Sequence, residues 1–235
     1  MNTLLDLSDR LYLDVADFAH ATPHWFQWLA EIWTEAGLLL FGALFLAGWW
    51  RSREGSSRAM ALALLAPLAT AFGYVVSESL KSLVDEDRPC RAVVGAPDAL
   101  ITCPPYGDWS FPSNHSAIAG AAAIALALSW RGIVWLTVPM ALLMAFSRVF
   151  VGVHYPHDVT VGLLVGGLVA LVVMRAAVRP VGALVETARS SRSSAVVWCA
   201  GRGPRAHAPA RAEDPRAPAT ARTDRVGDVP GSEVP

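Results

Sequence analysis

Over the first 24 residues the apolar positions are periodic. Leu4, Leu7, Leu11, Val15 and Phe18 recur at spacings of three and four, with Asp6, Asp9, Arg10 and Asp14 between them. That period puts the apolar side chains on one face of a helix, predicting an amphipathic segment that lies in a membrane interface or packs on a bundle. It lacks the basic start and continuous apolar core of a signal peptide, so it is expected to stay uncleaved. Beyond it the pattern changes to near-continuous apolar runs at 30–50, 59–80, 115–130, 133–150 and 159–178. A helix of about 20 such residues crosses a hydrocarbon core. The third run, SAIAGAAAIALALSW, is short and Ala-rich and by itself would suit a buried helix of a soluble protein; its neighbours favour the membrane. From 180 onward Arg, Ala, Pro and Ser dominate, a composition that buries too little apolar area to offset ordering entropy. The expected architecture is all-α: an amphipathic segment at 1–24, an integral membrane bundle of about five transmembrane helices at 25–179, and a disordered tail at 180–235.

Composition sharpens this picture. Hydrophobic residues make up 54% of the 235 and charged residues 17%, against roughly 45–50% and about 25% in ordinary soluble domains. A formal net charge of −1 leaves no overall basic field for nucleic acid, which is excluded as the main partner. The three cysteines show no CxxC spacing, so thiolate metal centres are excluded as well. Cys90 and Cys103 share the 81–114 connection. Bridged, they would close a loop of about 14 residues worth roughly 3 kcal/mol; as free thiols they would contribute nothing of the kind, and the sequence leaves both open. Arg51, Arg53, Arg58, Arg131, Arg175 and Arg179 sit at the span ends that the positive-inside rule assigns to the cytoplasm. The tail and its Cys199 are then cytoplasmic, and the 81–114 and 148–158 connections face outward.

Residues of catalytic type gather at those outward ends. Lys81, the one Lys among 19 basic residues, stands with Arg88 and Arg148 where the membrane meets water. Three converging cations call for an anion, and the guanidinium fork fits phosphate oxygens; interfacial snorkelling is the plainer account of any one of them. Ser113, after Pro112, is placed to cap an apolar helix whose free N–H groups suit an anion, with His115 in the first turn. His154 and Asp158 are one helical turn apart, so the carboxylate can orient one ring nitrogen and leave the other as nucleophile or base. Pro156 between them sets the pair at a helix start. His157 is expected to be an exposed polar residue pointing elsewhere, and Glu31 and Glu35 to be solvated boundary carboxylates.

Taken in order, Lys81-x6-Arg88-Pro89, Pro112-Ser113-Asn114-His115 and Ser147-Arg148-x5-His154-x3-Asp158 resemble the three-part signature of the type 2 phosphatidic acid phosphatase family. The resemblance covers about residues 30–178. It implies that His154 attacks phosphorus to form a phosphohistidine, that Asp158 holds its ring, and that His115 protonates the leaving oxygen and then assists water. Lys81, Arg88, Ser113, Asn114 and Arg148 would cradle the phosphate, with no metal or other cofactor. Asn114 stands where the family usually has Gly; it keeps the backbone N–H, so altered substrate fit is expected rather than loss of activity. The layout resembles the branch acting on undecaprenyl diphosphate, ahead of phosphatidate, diacylglycerol diphosphate or phosphatidylglycerophosphate. The expected partners are a lipid phosphate or diphosphate and the bilayer of a cell membrane, and oligomeric state is left open. Vanadium haloperoxidases share the pocket signature but are soluble, and a non-catalytic lipid-binding or transport protein would show charged or broken helices at mid-membrane.

Overall fold

The computed structural model describes residues 3–204, and every regular element among them is helical. In chain order these are α1 (Thr3–Ala21), α2 (His24–Ser52), α3 (Ser57–Lys81), the short α4 (Pro89–Ala92), α5 (Asn114–Ser129), a 3-10 turn (Arg131–Ile133), α6 (Val134–Phe150), α7 (Pro156–Arg189) and α8 (Ser194–Ala200). Four stretches, His24–Ser52, Ser57–Lys81, Arg131–Phe150 and Pro156–Arg189, are long and apolar enough to cross a membrane. The fifth expected span, α5, has 16 residues, or about 24 Å of helix, and falls short of that length.

The shortness of α5 goes with its position. It runs through the middle of the bundle against α3, α6 and α7, and Ala117, Ala119, Ala121, Ala122 and Ala125 are fully buried. Where lipid competes for apolar surface, helices associate through close van der Waals contact between small residues. Here the approach is backbone on backbone: a Cβ at Gly166 would lie 1.9 Å from the Ala117 carbonyl oxygen, and one at Gly162 would lie 2.5 Å from that of Ser113. The α5–α7 seam therefore sets the second and third motifs side by side, and the Ser113 N–H donates to the Asp158 carbonyl at 3.2 Å.

The N-terminal helix packs on the bundle through the face opposite its Leu stripe. Its Leu stripe points away from the bundle, with Leu7 and Leu11 51% and 43% exposed, while Tyr12, Ala16 and Ala19 on the other side are buried. The Tyr12 hydroxyl donates to the Gly152 carbonyl at 3.1 Å, which pins α1 to the corner between α6 and α7.

Composition misplaces the other boundary. Helix α7 continues through 180–189 and α8 follows at Ser194–Ala200, so the change to tail-like composition at 180 does not end the folded region. Val178 and Val185, two turns apart, are buried in one cluster with Met60 and Leu65 of α3. A window dominated by Arg, Pro and Ser conceals that pair. The rest of the expected tail, 205–235, lies outside the described residues.

Candidate active site

At one end of the bundle the last residue of α3, the connection to α5, the start of α5 and the α6–α7 corner converge. Lys81, Arg88 and Arg148 are 5%, 2% and 5% exposed there. Lys81 Nζ and Arg88 Nη2 each bind Asp108 Oδ1 at 2.9 Å, and Arg88 Nε donates to the Asp108 carbonyl at 2.8 Å. Burial would raise the Asp108 carboxyl, but the Lys81 hydrogen bond and the charges of Arg88 and Lys81 hold it below the usual range. Arg148 Nη1 donates to Thr34 Oγ1 of α2 at 3.1 Å, and its buried Nε has no acceptor.

Two hydrogen bonds define the state of His154. Arg88 Nη1, which can only donate, lies 3.1 Å from Nε2; Asp158 Oδ2, which as a carboxylate can only accept, lies 3.2 Å from Nδ1. The proton is therefore on Nδ1 and the lone pair on Nε2. Burial pushes this imidazole down to about 4, against the pull of Asp158 and reinforced by the charges of Arg88 and Arg148. His154 is thus neutral near pH 7 with its nucleophilic nitrogen on the cationic side. Asp158 is fixed in turn: Oδ2 also accepts from the Tyr155 N–H at 2.9 Å and from the Ser110 hydroxyl. The Tyr155 bond exists because Asp158 is the third residue of α7, where a carboxylate reaches back to the helix start.

The second motif is assembled differently from its sequence reading. Ser113 is the N-cap residue of α5, yet its hydroxyl makes no capping bond; it accepts from Ser116 Oγ at 3.2 Å instead. The first intrahelical bond is Ala117 N–H to the Ser113 carbonyl, so the N–H groups of 114–116 precede the ladder at the site. The Asn114 side chain accepts from Ser77 Oγ at 2.8 Å and donates to the Glu78 carboxylate, tying α5 to α3, which Gly could not do. His115 is partly exposed, with Nε2 3.7 Å from Glu35 Oε1, and lies within electrostatic reach of Arg148, His154, Lys81 and Arg88. Glu35 itself is exposed, as a solvated boundary carboxylate would be, with His115 at its edge.

His157 is not the free surface residue its position implied. It is half-buried, stacks on Tyr155, pairs through Nδ1 with Ser8 Oγ of α1 at 2.7 Å, and sets Nε2 3.0 Å from Glu86 Oε1. Nε2 also lies 3.2 Å from Asp158 Oδ1, an electrostatic contact without hydrogen-bond geometry. Glu86, His157 and Asp158 form the one set among the described residues whose ligand atoms lie close enough, within 4.8 Å, to share a metal. Sequence reasoning passed over Asp108, Ser110, Glu86, Thr34 and Ser8. Asp108 and Ser110 carried a signal in their nearness to the second motif, and Glu86 in lying inside the first; Thr34 and Ser8 arrive from distant elements. Cys90 and Cys103 are joined by a disulfide with Cα atoms 6.1 Å apart, and Arg91 Nη1 donates to the Pro104 carbonyl, so α4 is tied to the loop that brings Asp108.

Several known proteins are similar to this chain. Undecaprenyl-diphosphatase BcrC of Bacillus subtilis is 32% identical over 142 residues, 60% of this chain and 70% of that protein. Undecaprenyl-diphosphatase of Sulfolobus acidocaldarius is 36% identical over 97 residues; the match spans 46% of that protein and 41% of this chain. Decaprenylphosphoryl-5-phosphoribose phosphatase of Mycobacterium tuberculosis is 30% identical over 157 residues, 66% of this chain and 74% of that protein. The crystal structure of Aquifex aeolicus LpxE superposes with a TM-score of 0.57 at 23% identity, over 71% of this chain and 93% of that one, which shows a shared fold. Residues 62–180, half of the chain, match the PAP2 superfamily and contain all three motifs. The chain therefore belongs to the PAP2 superfamily and is a multi-pass membrane phosphatase.

Proposed function

We propose that this protein hydrolyses the diphosphate of a polyprenyl lipid, undecaprenyl diphosphate, through a phosphohistidine at His154, with the site on the extracytoplasmic face. The observation that carries the reading is the neutral, buried His154, whose Nε2 lone pair faces Arg88 in a cluster with Lys81 and Arg148. A phosphoryl group entering there takes over the Arg88 donor. Nε2 attacks phosphorus, the bond to the leaving oxygen breaks, and His115, which takes up a proton once the phosphoryl anion offsets the neighbouring cations, gives that oxygen its proton. Neutral His115 then removes a proton from the water that attacks the phosphohistidine, releasing inorganic phosphate and restoring His154. Asp158 holds Nδ1–H and stabilises the charge that the ring acquires, while Lys81, Arg88, Arg148 and the N–H groups opening α5 balance the phosphoryl oxygens.

A lipid substrate is supported by the open apolar face of α2 carrying Trp28, Ile32 and Leu39, on which Glu35 lies 3.7 Å from His115. The names of the two undecaprenyl-diphosphatase relatives favour the polyprenyl diphosphate. The outward orientation is supported by Arg51, Arg53, Arg58 and Arg131, all at the opposite end of the bundle. Phosphate release is to be measured with EDTA present, from undecaprenyl diphosphate and phosphatidate in parallel, with His154→Ala as the blank. Release that persists in EDTA, prefers the polyprenyl diphosphate and falls at least about 10⁴-fold in the variant is expected. Preference for phosphatidate overturns the substrate; Mg-reversible loss in EDTA overturns the mechanism.

A further inference from the structure

A second cavity lies far from His154, at the other end of the bundle. It measures about 850 Å³, and its walls include Arg51, Arg53, Arg192 and Arg202 with Glu54 and Trp198. These arginines come from the two ends of the chain's membrane domain, and specific contacts hold them together. The Gly203 N–H donates to the Arg53 carbonyl at 3.0 Å, Trp49 Nε1 to the Cys199 carbonyl at 3.0 Å, and Arg189 Nε to the Ala200 carbonyl at 3.1 Å. Gly201, at φ +72°, presses so closely on α2 that a Cβ would lie 2.4 Å from the Arg53 oxygen. The segment after α7 is thus folded back and clamped on the end of α2, and the pocket is a built feature of the fold.

Its chemistry is that of an anion receptor. The Arg53 guanidinium lies 5.0, 4.9 and 4.5 Å from the rings of Trp49, Trp50 and Trp198, and its Nη1 is buried without a hydrogen-bond partner. Aromatic faces hold a cation but accept little from its N–H edges, and a buried donor left over requires an acceptor. Among the described residues Arg192 and Arg202 form no ion pair within 4.0 Å. Four arginines share the cavity with Glu54, so cations outnumber the carboxylate there and repel one another unless further negative charge lies between them. The pocket sits where the spanning helices α2 and α7 end and is rimmed by tryptophan, the level at which phospholipid head groups lie.

We propose that this pocket is a second phosphate site, separate from the catalytic one, which binds the phosphodiester head group of an anionic membrane lipid. Arg53 is the caged anchor, Arg192 and Arg202 close over the phosphate from α8 and its flanks, and the lipid staples α7 and α8 to α2. Phosphatidylglycerol serves as the probe, in mixed micelles with a neutral detergent; phosphatidylcholine and inorganic phosphate form the parallel arms, and the readout is thermal unfolding. Phosphatidylglycerol at about a hundredfold excess over its Kd is expected to raise Tm by roughly 5–10 °C, and phosphatidylcholine to leave it unchanged. The shift is expected to vanish in an Arg192→Gln, Arg202→Gln double variant whose phosphatase turnover stays at the wild-type level. It should survive in Lys81→Ala, which removes a cation of the catalytic site. An equal shift with inorganic phosphate, lost in the same double variant, supports the site but assigns it to free phosphate. A shift undiminished in the double variant, one lost in Lys81→Ala instead, or none at all overturns the proposal.

Discussion

Arginine is concentrated at both ends of this bundle, and the two ends hold it in opposite ways. Around His154, Arg88 is almost fully buried and its N–H groups run to fixed acceptors: the Asp108 carbonyl and carboxylate, the Val153 carbonyl and the His154 ring. Around Trp198, Arg53 rests on indole faces and Arg51 lies 5.2 Å from the ring of Trp130. Acceptors fix an arginine in direction as well as position, so a reacting phosphorus can be met within a fraction of an ångström. Rings fix the plane and leave the N–H edges to whatever anion arrives. On the two proposals made above, the same residue type serves as a catalytic instrument in one setting and a general receptor in the other, and its neighbours make the difference.

This contrast can be broken most sharply through Asp158. Asp158→Asn keeps the shape but removes the acceptor that holds the proton on Nδ1, and a loss of kcat on the order of 10³-fold is expected, with little change in KM. Equal turnover in the variant would show that Arg88 alone orients the ring. Next in size is the α5–α7 seam. Gly166→Val drives side-chain atoms into the Ala117 carbonyl and is expected to cost at least about 3 kcal/mol, seen as a large drop in Tm in detergent. Gly182→Val, where a Cβ meets nothing within 4 Å, should leave Tm nearly unchanged; similar losses at both positions would remove the seam argument.

The pH profile is a subtler probe. Because the imidazole of His154 is pushed down to about 4, kcat/KM should keep its nucleophile through pH 6.5 and lose it only as pH falls toward 4. The sign for stability is the same: the unfolded chain binds this proton more readily, so the contribution is full above about pH 6.5 and erodes as pH falls toward 4. An acid limb for nucleophile loss centred at pH 6.5 would mean an ordinary, solvated histidine. The smallest effect is expected at Asp108, whose carboxylate competes with phosphate for Lys81 and Arg88. Asp108→Asn should lower KM about 3- to 10-fold with kcat within about twofold, measured in initial-rate assays at fixed ionic strength; a raised KM would show that the carboxylate positions the cations more than it competes.

Much of the catalytic end was legible in the one-dimensional pattern because its chemistry is local. His154 and Asp158 are four residues apart with Pro156 between them, and that spacing at a helix start already implies an oriented imidazole. Apolar runs likewise announce spans. Where the pattern failed, the cause was distance or averaging. His157 looked free because adjacent residues of a helix diverge, yet Ser8 and Glu86, 149 and 71 positions away, enclose its ring. Residue 180 looked like the start of a tail because composition weighs every residue equally, whereas Val185 needs only one buried face to continue the helix.

What the sequence determined by itself was the class of the molecule and the inventory of its site: apolar runs too long for a soluble core, and three motifs whose residue types suit phosphoryl transfer. Tertiary structure alone decided which nitrogen of His154 carries the lone pair, that Asp108 sits on Lys81 and Arg88, that Asn114 ties α5 to α3, and that Arg192 and Arg202 meet Arg53. The physical reason is that hydrogen bonds and charges act over a few ångströms in space. Once glycine seams and fold-back contacts bring distant segments that close, partners are chosen by proximity, which spacing along the chain records only within a single turn of helix.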